Sequence, residues 1–153
     1  MSKKTKENNA KRLARLAAVQ GLYRIELTQH PVKDVMRDFR QHPETFLQDT
    51  GQDATGADPE LFEAILSGVT KNHETIDEMI AGALSAKVSS GRIEILLRAI
   101  LRGGVFELHH HGQIPAKVII NDYVDVAHAF FSAKEPGLVN AVLDKLAKNL
   151  RAT

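Results

Sequence analysis

The 153-residue sequence contains no cysteine and no tryptophan. The first absence excludes a disulfide-stapled scaffold, a cysteine nucleophile and every thiolate metal site. Aromatic residues are sparse, with six Phe and two Tyr. Tyr23 falls on an apolar stripe and reads as core, not as a stacking surface. No run of eighteen apolar residues occurs, so no membrane span is expected. The opening Met1-Ser2-Lys3-Lys4-Thr5-Lys6 leads into polar residues and not into the apolar segment of a signal peptide. A soluble, cytoplasmic protein is the expectation. An excess of either charge is missing too: 20 Lys plus Arg stand against 19 Asp plus Glu, net +1. This excludes a uniformly basic protein but says nothing of local patches. The phosphate loop, the dinucleotide fingerprint and the HExxH zinc motif are all absent. What the chain does have is 43% hydrophobic residues at single-domain length, enough for a core without disulfides or metals.

The small net charge conceals an asymmetry. Residues 1–28 carry seven bases and two acids, net +5, whereas the other 125 carry thirteen bases and seventeen acids, net −4. A positive arm therefore precedes a mildly acidic body, which suits either a solvated terminus or a contact with nucleic acid or an acidic partner. Segment 41–60 holds Glu44, Asp49, Asp53, Asp58 and Glu60, with Gly51 and Gly56 and no Lys or Arg. That composition suits a surface linker contributing little to a core.

Apolar spacing predicts about seven helices and no strand. Leu13, Leu16, Ala17, Gln20, Tyr23 and Leu27 recur at helical steps over about residues 9–27. Pro31 opens a second helix striped by Val32, Val35, Met36 and Phe39, which Pro43 interrupts. Asp58-Pro59 reads as a cap and first position for the helix of Leu61, Phe62, Ile65, Leu66 and Val69. A short helix follows over His73–Leu84. The span Ile93–His109 is apolar around much of its circumference, as in an element packed on several sides. Gly103 and Gly104 within it imply either close contact with a neighbouring helix or a kink. Pro115 starts the helix of Val118, Ile119, Val126 and Phe130. Ser132 and Glu135 match a capping box before a final helix with Leu138, Val139, Val142, Leu143 and Leu146. No internal repeat is evident. The expected fold is all-α, with two small bundles at residues 1–84 and 85–153 forming one compact unit.

Catalytic and metal chemistry find little support. His109, His110 and His111 are consecutive, so on a helix they point about 100° apart and do not converge on one ion. They read as an exposed helix end, where histidine is electrostatically favoured. Asp122 and Asp125 share a face, but general acid–base work needs a cleft and unequal pKa values; solvated surface is the reading. Asn121 and Asn140 lie within apolar helices, to tie helices together or to meet a partner. Binding is the better class. Lys4, Lys6, Lys11, Arg12 and Arg15 are the candidate phosphate contacts.

Four segments, in order, resemble the NusB family of bacterial transcription antitermination factors. They are Ala14-Arg15-Leu16-Ala17-Ala18-Val19-Gln20-Gly21-Leu22-Tyr23, then Ile100-Leu101-Arg102-Gly103-Gly104-Val105-Phe106-Glu107-Leu108, then Ile114-Pro115-Ala116-Lys117-Val118-Ile119-Ile120-Asn121-Asp122, and Leu138-Val139-Asn140-Ala141-Val142-Leu143-Asp144-Lys145. The resemblance spans nearly the whole chain. It implies a non-enzymatic protein without cofactor or metal that binds boxA RNA together with ribosomal protein S10 (NusE). The pair would join NusA, NusG and RNA polymerase to continue transcription of ribosomal RNA operons.

By the same resemblance, Lys11, Arg12, Ala14 and Arg15 fall on the basic RNA-contacting motif, with Leu13 where a third basic residue is common. Leu97, Phe106, Glu107, Asn121, Asp122, Lys134, Leu138 and Asn140 are the expected partner-binding residues. Leu97 replaces a frequent glutamate and Lys134 a frequent acid; Ala141 replaces a glycine after Asn140. Monomer and homodimer are both compatible with the pattern. The alternatives are a protein-binding adaptor without RNA affinity, a small helical enzyme, and the helical module of certain RNA methyltransferases. Length and completeness favour the stand-alone factor over that module.

Overall fold

The computed structural model describes residues 2–84 and 94–151, apart from the side chain of Asp49. Among these residues eight α-helices occur and no strand: α1 Lys3–Thr28, α2 Val32–Gln41, α3 Pro43–Phe46, α4 Pro59–Lys71, α5 His73–Ala83, α6 Ile95–His110, α7 Ala116–Phe130 and α8 Glu135–Leu150. The 26 residues of α1 span about 39 Å at 1.5 Å each. Its first turns are exposed, whereas Ala14–Leu22 are buried around the whole circumference. The helix thus serves as a spike at one end and as a central strut at the other, packing on α4, α6 and α7. Ile93, expected to begin the long apolar helix observed as α6, and the chain between the two expected bundles lie outside the described residues.

Several expected punctuation signals operate as chemistry requires. Asp58 accepts from the Glu60 and Leu61 amides while Pro59 occupies the first turn of α4. Pro31 and Pro115 sit at the caps of α2 and α7. The Ser132–Glu135 capping box does not form. Helix α8 starts at Glu135, with Lys134 at the cap already in right-handed helical conformation and Pro136 in the first turn. That placement puts the glutamate one residue after the cap, where it cannot reach back as a third-position residue does.

The acidic segment 41–60 is more than a linker. It contains α3 and two short 3-10 turns, and it buries Phe46, Leu47, Ala54 and Ala57. Phe46 stands edge-on to both Phe39 and Phe62, which stack 3.9 Å apart between ring centroids. Arg24 covers the outer face of Phe46 at 4.4 Å. Four apolar side chains among many acids suffice because each lands on the same inward side.

Glycines set helix approach at the centre. A Cβ at Gly103 would lie 2.8 Å from the Tyr123 ring, and one at Gly104 2.7 Å from Leu143. The paired glycines therefore admit α7 and α8 against α6. The tightest notch is Gly68 on α4, where a Cβ would come 2.0 Å from the Phe106 ring. Gly68→Ala is expected to lose about 2 kcal/mol in urea unfolding, overpacking of ~3 kcal/mol less ~1 kcal/mol of helix propensity. Gly82→Ala, with nothing within 4 Å of the added methyl, should instead gain about 0.5–1 kcal/mol. Equal signs for the two would refute the notch.

Candidate functional site

The expected basic residues divide between surface and interior. Lys4, Lys6 and Arg12 are exposed and Lys11 half-exposed. None of the four forms an ion pair with any described residue. The N-terminal end of α1, capped by Ser2 Oγ accepting from the Thr5 amide at 3.1 Å, thus presents free cations to solvent.

Arg15 corrects the expectation. It is 1% exposed, because its stretch of α1 is enclosed on all sides. Its Nε and Nη2 donate to the two oxygens of Glu107 at 2.7 and 2.8 Å, and Nη1 donates to Asp122 at 2.6 Å. Tyr123 donates its hydroxyl to Glu107 at 2.6 Å, and His111 Nδ1 lies 3.0 Å from the same carboxylate. Each of the three guanidinium nitrogens thus donates to a protein carboxylate, and at 1% exposure Arg15 offers no surface to a phosphate.

Electrostatics follow from that packing. Burial is the strongest single influence on Glu107 and opposes its charge. Hydrogen bonds from Arg15 and His111, the Arg15 charge and the Tyr123 hydroxyl together outweigh it and hold the carboxyl at about 2. Burial likewise opposes the Arg15 charge, yet Glu107 keeps the guanidinium more basic than usual. At Asp122 burial prevails over Arg15 and shifts the carboxyl upward. Burial and then the Glu107 charge push the Tyr123 phenol well up.

The expected partner-binding residues are also corrected in part. Glu107 is fully enclosed, and Leu97 and Phe106 are buried, so these three build the interior and offer no surface. Leu97 lies in the packed face of α6; Phe106 is seated on Gly68 with His110 stacked 4.8 Å away. Asp122 and Leu138 are half-buried, whereas Asn121, Lys134 and Asn140 are exposed. Asn121 and Asn140 come together: with Lys117, Ile120, Asp144 and Lys148 they line a groove between α7 and α8. Lys134 stands apart at the start of α8.

Of the three histidines, His109 and His110 are exposed as expected. His111 turns inward to Glu107 at the helix end. Burial, then the charges of His109 and His111, lower the His110 pKa. Among the described residues no group of three His, Asp or Glu side chains is placed to hold a metal ion, and no helix is long and apolar enough to cross a membrane.

Two further arginines bind the elements around this centre. Arg102 donates from Nε and Nη2 to both Asp77 oxygens at 2.8 Å, and Nη1 reaches Glu26 at 3.4 Å. Arg151 donates to the carbonyls of Leu108, Ile114 and His111 at 2.8, 2.8 and 3.0 Å. The buried pairing went unread in the sequence, although a signal exists. Arg15 is the lone charge within Ala14–Leu22 and Glu107 the lone charge within Gly103–Leu108, two otherwise apolar or amide-bearing helix segments. Opposite charges embedded in two buried helices call for one another.

Comparison with known proteins agrees with this architecture. A model of the NusB family matches residues 12–148. The Transcription antitermination protein NusB of Nitrobacter hamburgensis is 40% identical over 152 residues, covering 96% of this chain and 91% of its own. That of Bartonella quintana is 42% identical over 144 residues, covering 94% and 91%. Among solved structures, T. maritima NusB superposes with a TM-score of 0.72 at 25% identity, covering 90% of this chain and 89% of that one. A chain from a crystal structure of the antitermination factors NusB and NusE in complex with dsRNA superposes with a TM-score of 0.70 at 24% identity, covering 90% and 96%.

Proposed function

The chain belongs to the NusB family, non-enzymatic RNA-binding antitermination factors of ribosomal RNA transcription, and from that premise we propose that it binds boxA RNA jointly with ribosomal protein S10 (NusE). The observation that carries the RNA part is the unpaired set of exposed Lys4, Lys6 and Arg12 with half-exposed Lys11 at one end of α1, on a chain whose 125 residues after position 28 are net negative. RNA is attracted to that end and repelled elsewhere. The exposed Asn121, Asn140 and Lys134 form the surface for NusE, and NusA, NusG and RNA polymerase complete the assembly in the cytoplasm. Support for the pairing comes from the fold shared with a chain solved in a NusB–NusE–dsRNA complex.

A salt series of boxA RNA binding, with and without NusE, tests this reading. Four phosphate contacts give an expected log–log slope of about −2.8 at ~0.7 per contact with single-stranded RNA. Arg12→Ala should reduce the slope by about 0.7 and weaken binding to boxA and scrambled RNA alike. NusE should tighten boxA binding selectively. Folded protein that binds neither boxA RNA nor NusE, alone or together, would refute the proposal. Binding of NusE with no salt-sensitive RNA affinity would favour a protein adaptor instead.

A further inference from the structure

A narrow cleft opens beside Arg12, between α1, the turn following α3 and the outer face of α7. Its floor is apolar, built from Leu13, Leu16 and Val126, and its rim carries Arg12, Gln52 and Asp125. These three polar residues are exposed. None of their side chains has an ion pair or hydrogen bond to a described residue. The rim is nevertheless fixed in place. The Asp58 amide donates to the Ala10 carbonyl at 3.0 Å, buried Ala54 and Ala57 pin the segment to the core, and the Gln52 amide donates to Thr50 Oγ1 at 3.3 Å. Asp125 rides on α7 between buried Val126 and half-buried Val124.

An apolar floor with unpaired donors and acceptors around it is the usual make-up of a ligand seat. Its position next to a phosphate-contacting cation points to one occupant, a base of the same RNA strand. Single-stranded RNA is read where unstacked bases offer their Watson–Crick edges. An ionised carboxylate has two acceptors and no donor. Guanine alone presents two adjacent donors on that edge, N1–H and the 2-amino group. Adenine and cytosine turn a ring-nitrogen acceptor towards the carboxylate, and uracil flanks its single N–H with two carbonyls. We propose that this cleft seats a guanine of the bound RNA strand. Asp125 accepts from N1–H and the 2-amino group, the Gln52 side-chain Nε2 donates to the guanine carbonyl, Leu13 and Val126 pack on the base, and Arg12 holds the neighbouring phosphate. The leucine at position 13, where the family often carries a base, then supplies floor in place of charge.

The inference rests on the RNA-binding reading, and its test separates the two. The probes are a uridine nonamer with one central guanine and its counterparts carrying inosine or adenine there. For the unaltered protein, guanine should exceed adenine by about tenfold, the low end of what a bidentate base contact supplies; inosine, which lacks the 2-amino group, should fall between. Asp125→Asn should bring the three within about twofold. Glu78→Gln, an equal charge change at an exposed position of α5, should leave the ratios intact. An absent guanine preference, or one that Asp125→Asn preserves, overturns the guanine seat while leaving RNA binding standing. Failure of the unaltered protein to bind any of the three overturns the RNA reading itself and the seat with it.

Discussion

Glu107→Ala is expected to lower the free energy of unfolding by about 3–5 kcal/mol, the usual penalty for stranding one member of a buried ion pair. The loss arises from what stays behind. Arg15 would keep its charge inside the protein with only the half-buried Asp122 as partner, and the Tyr123 hydroxyl and His111 would lose their acceptor. For a chain of this size the melting temperature should drop by roughly 6–20 °C at about 2–4 °C per kcal/mol. Replacing both partners at once, Arg15→Met with Glu107→Leu, should recover part of that loss, because the fully buried guanidinium leaves with its carboxylate, while Asp122 loses its cation and the Tyr123 hydroxyl its acceptor. A pair of variants whose losses merely add would exclude the coupling. Arg15→Ala belongs to the same class: its RNA affinity should fall only as far as its folded fraction does, whereas Arg12→Ala should weaken RNA binding at unchanged stability.

Acid should loosen the protein through the same carboxylate. Glu107 is held at about 2 in the folded chain against an ordinary 4.5, so the unfolded chain takes up its proton first as pH falls. Stability from this group is complete above about pH 4.5 and is lost on the way to pH 2. The loss amounts to about 2 kcal/mol at pH 3 and about 3 kcal/mol near pH 2. Asp122, shifted upward mainly by burial, works in the opposite direction and returns a little stability in acid. Urea midpoints at pH 6 and pH 3 check the balance: the gap between the unaltered protein and Glu107→Gln should narrow as pH falls. A gap independent of pH would show that Glu107 is not held ionised by its partners.

Much of the fold was legible because helical spacing, proline positions and the Asp58 cap are local signals, and α2, α4 and α7 begin where those signals stand. α3 was not legible, since Phe46 and Leu47 are two apolar residues amid acids and their burial depends on Phe39 and Phe62 from other helices. The Ser132–Glu135 spacing suggested a cap that Pro136 and the backbone at Lys134 displace. At the candidate site, local charge density located Lys4, Lys6, Lys11 and Arg12 but swept in Arg15, three residues further along the same helix. Periodicity gives the face of a helix; it does not tell where along a long helix the protein closes over it. Leu97, Phe106 and Glu107 stand on a partner surface by the family resemblance alone, which carries no measure of their burial, and Gln52 escapes notice because segment 41–60 reads as linker.

The tie between Arg15 and Glu107 also bears on how the chain is born. The two residues lie 92 positions apart, so a ribosome adding ~5–20 residues per second delivers the arginine roughly 5–18 s before its acid. Throughout that interval Arg15 adds its unpaired charge to the exposed cations of nascent α1, with the ribosome's own RNA close by. Release from such contacts and closure of the interior are then the same event, completed only when the sixth helix has emerged.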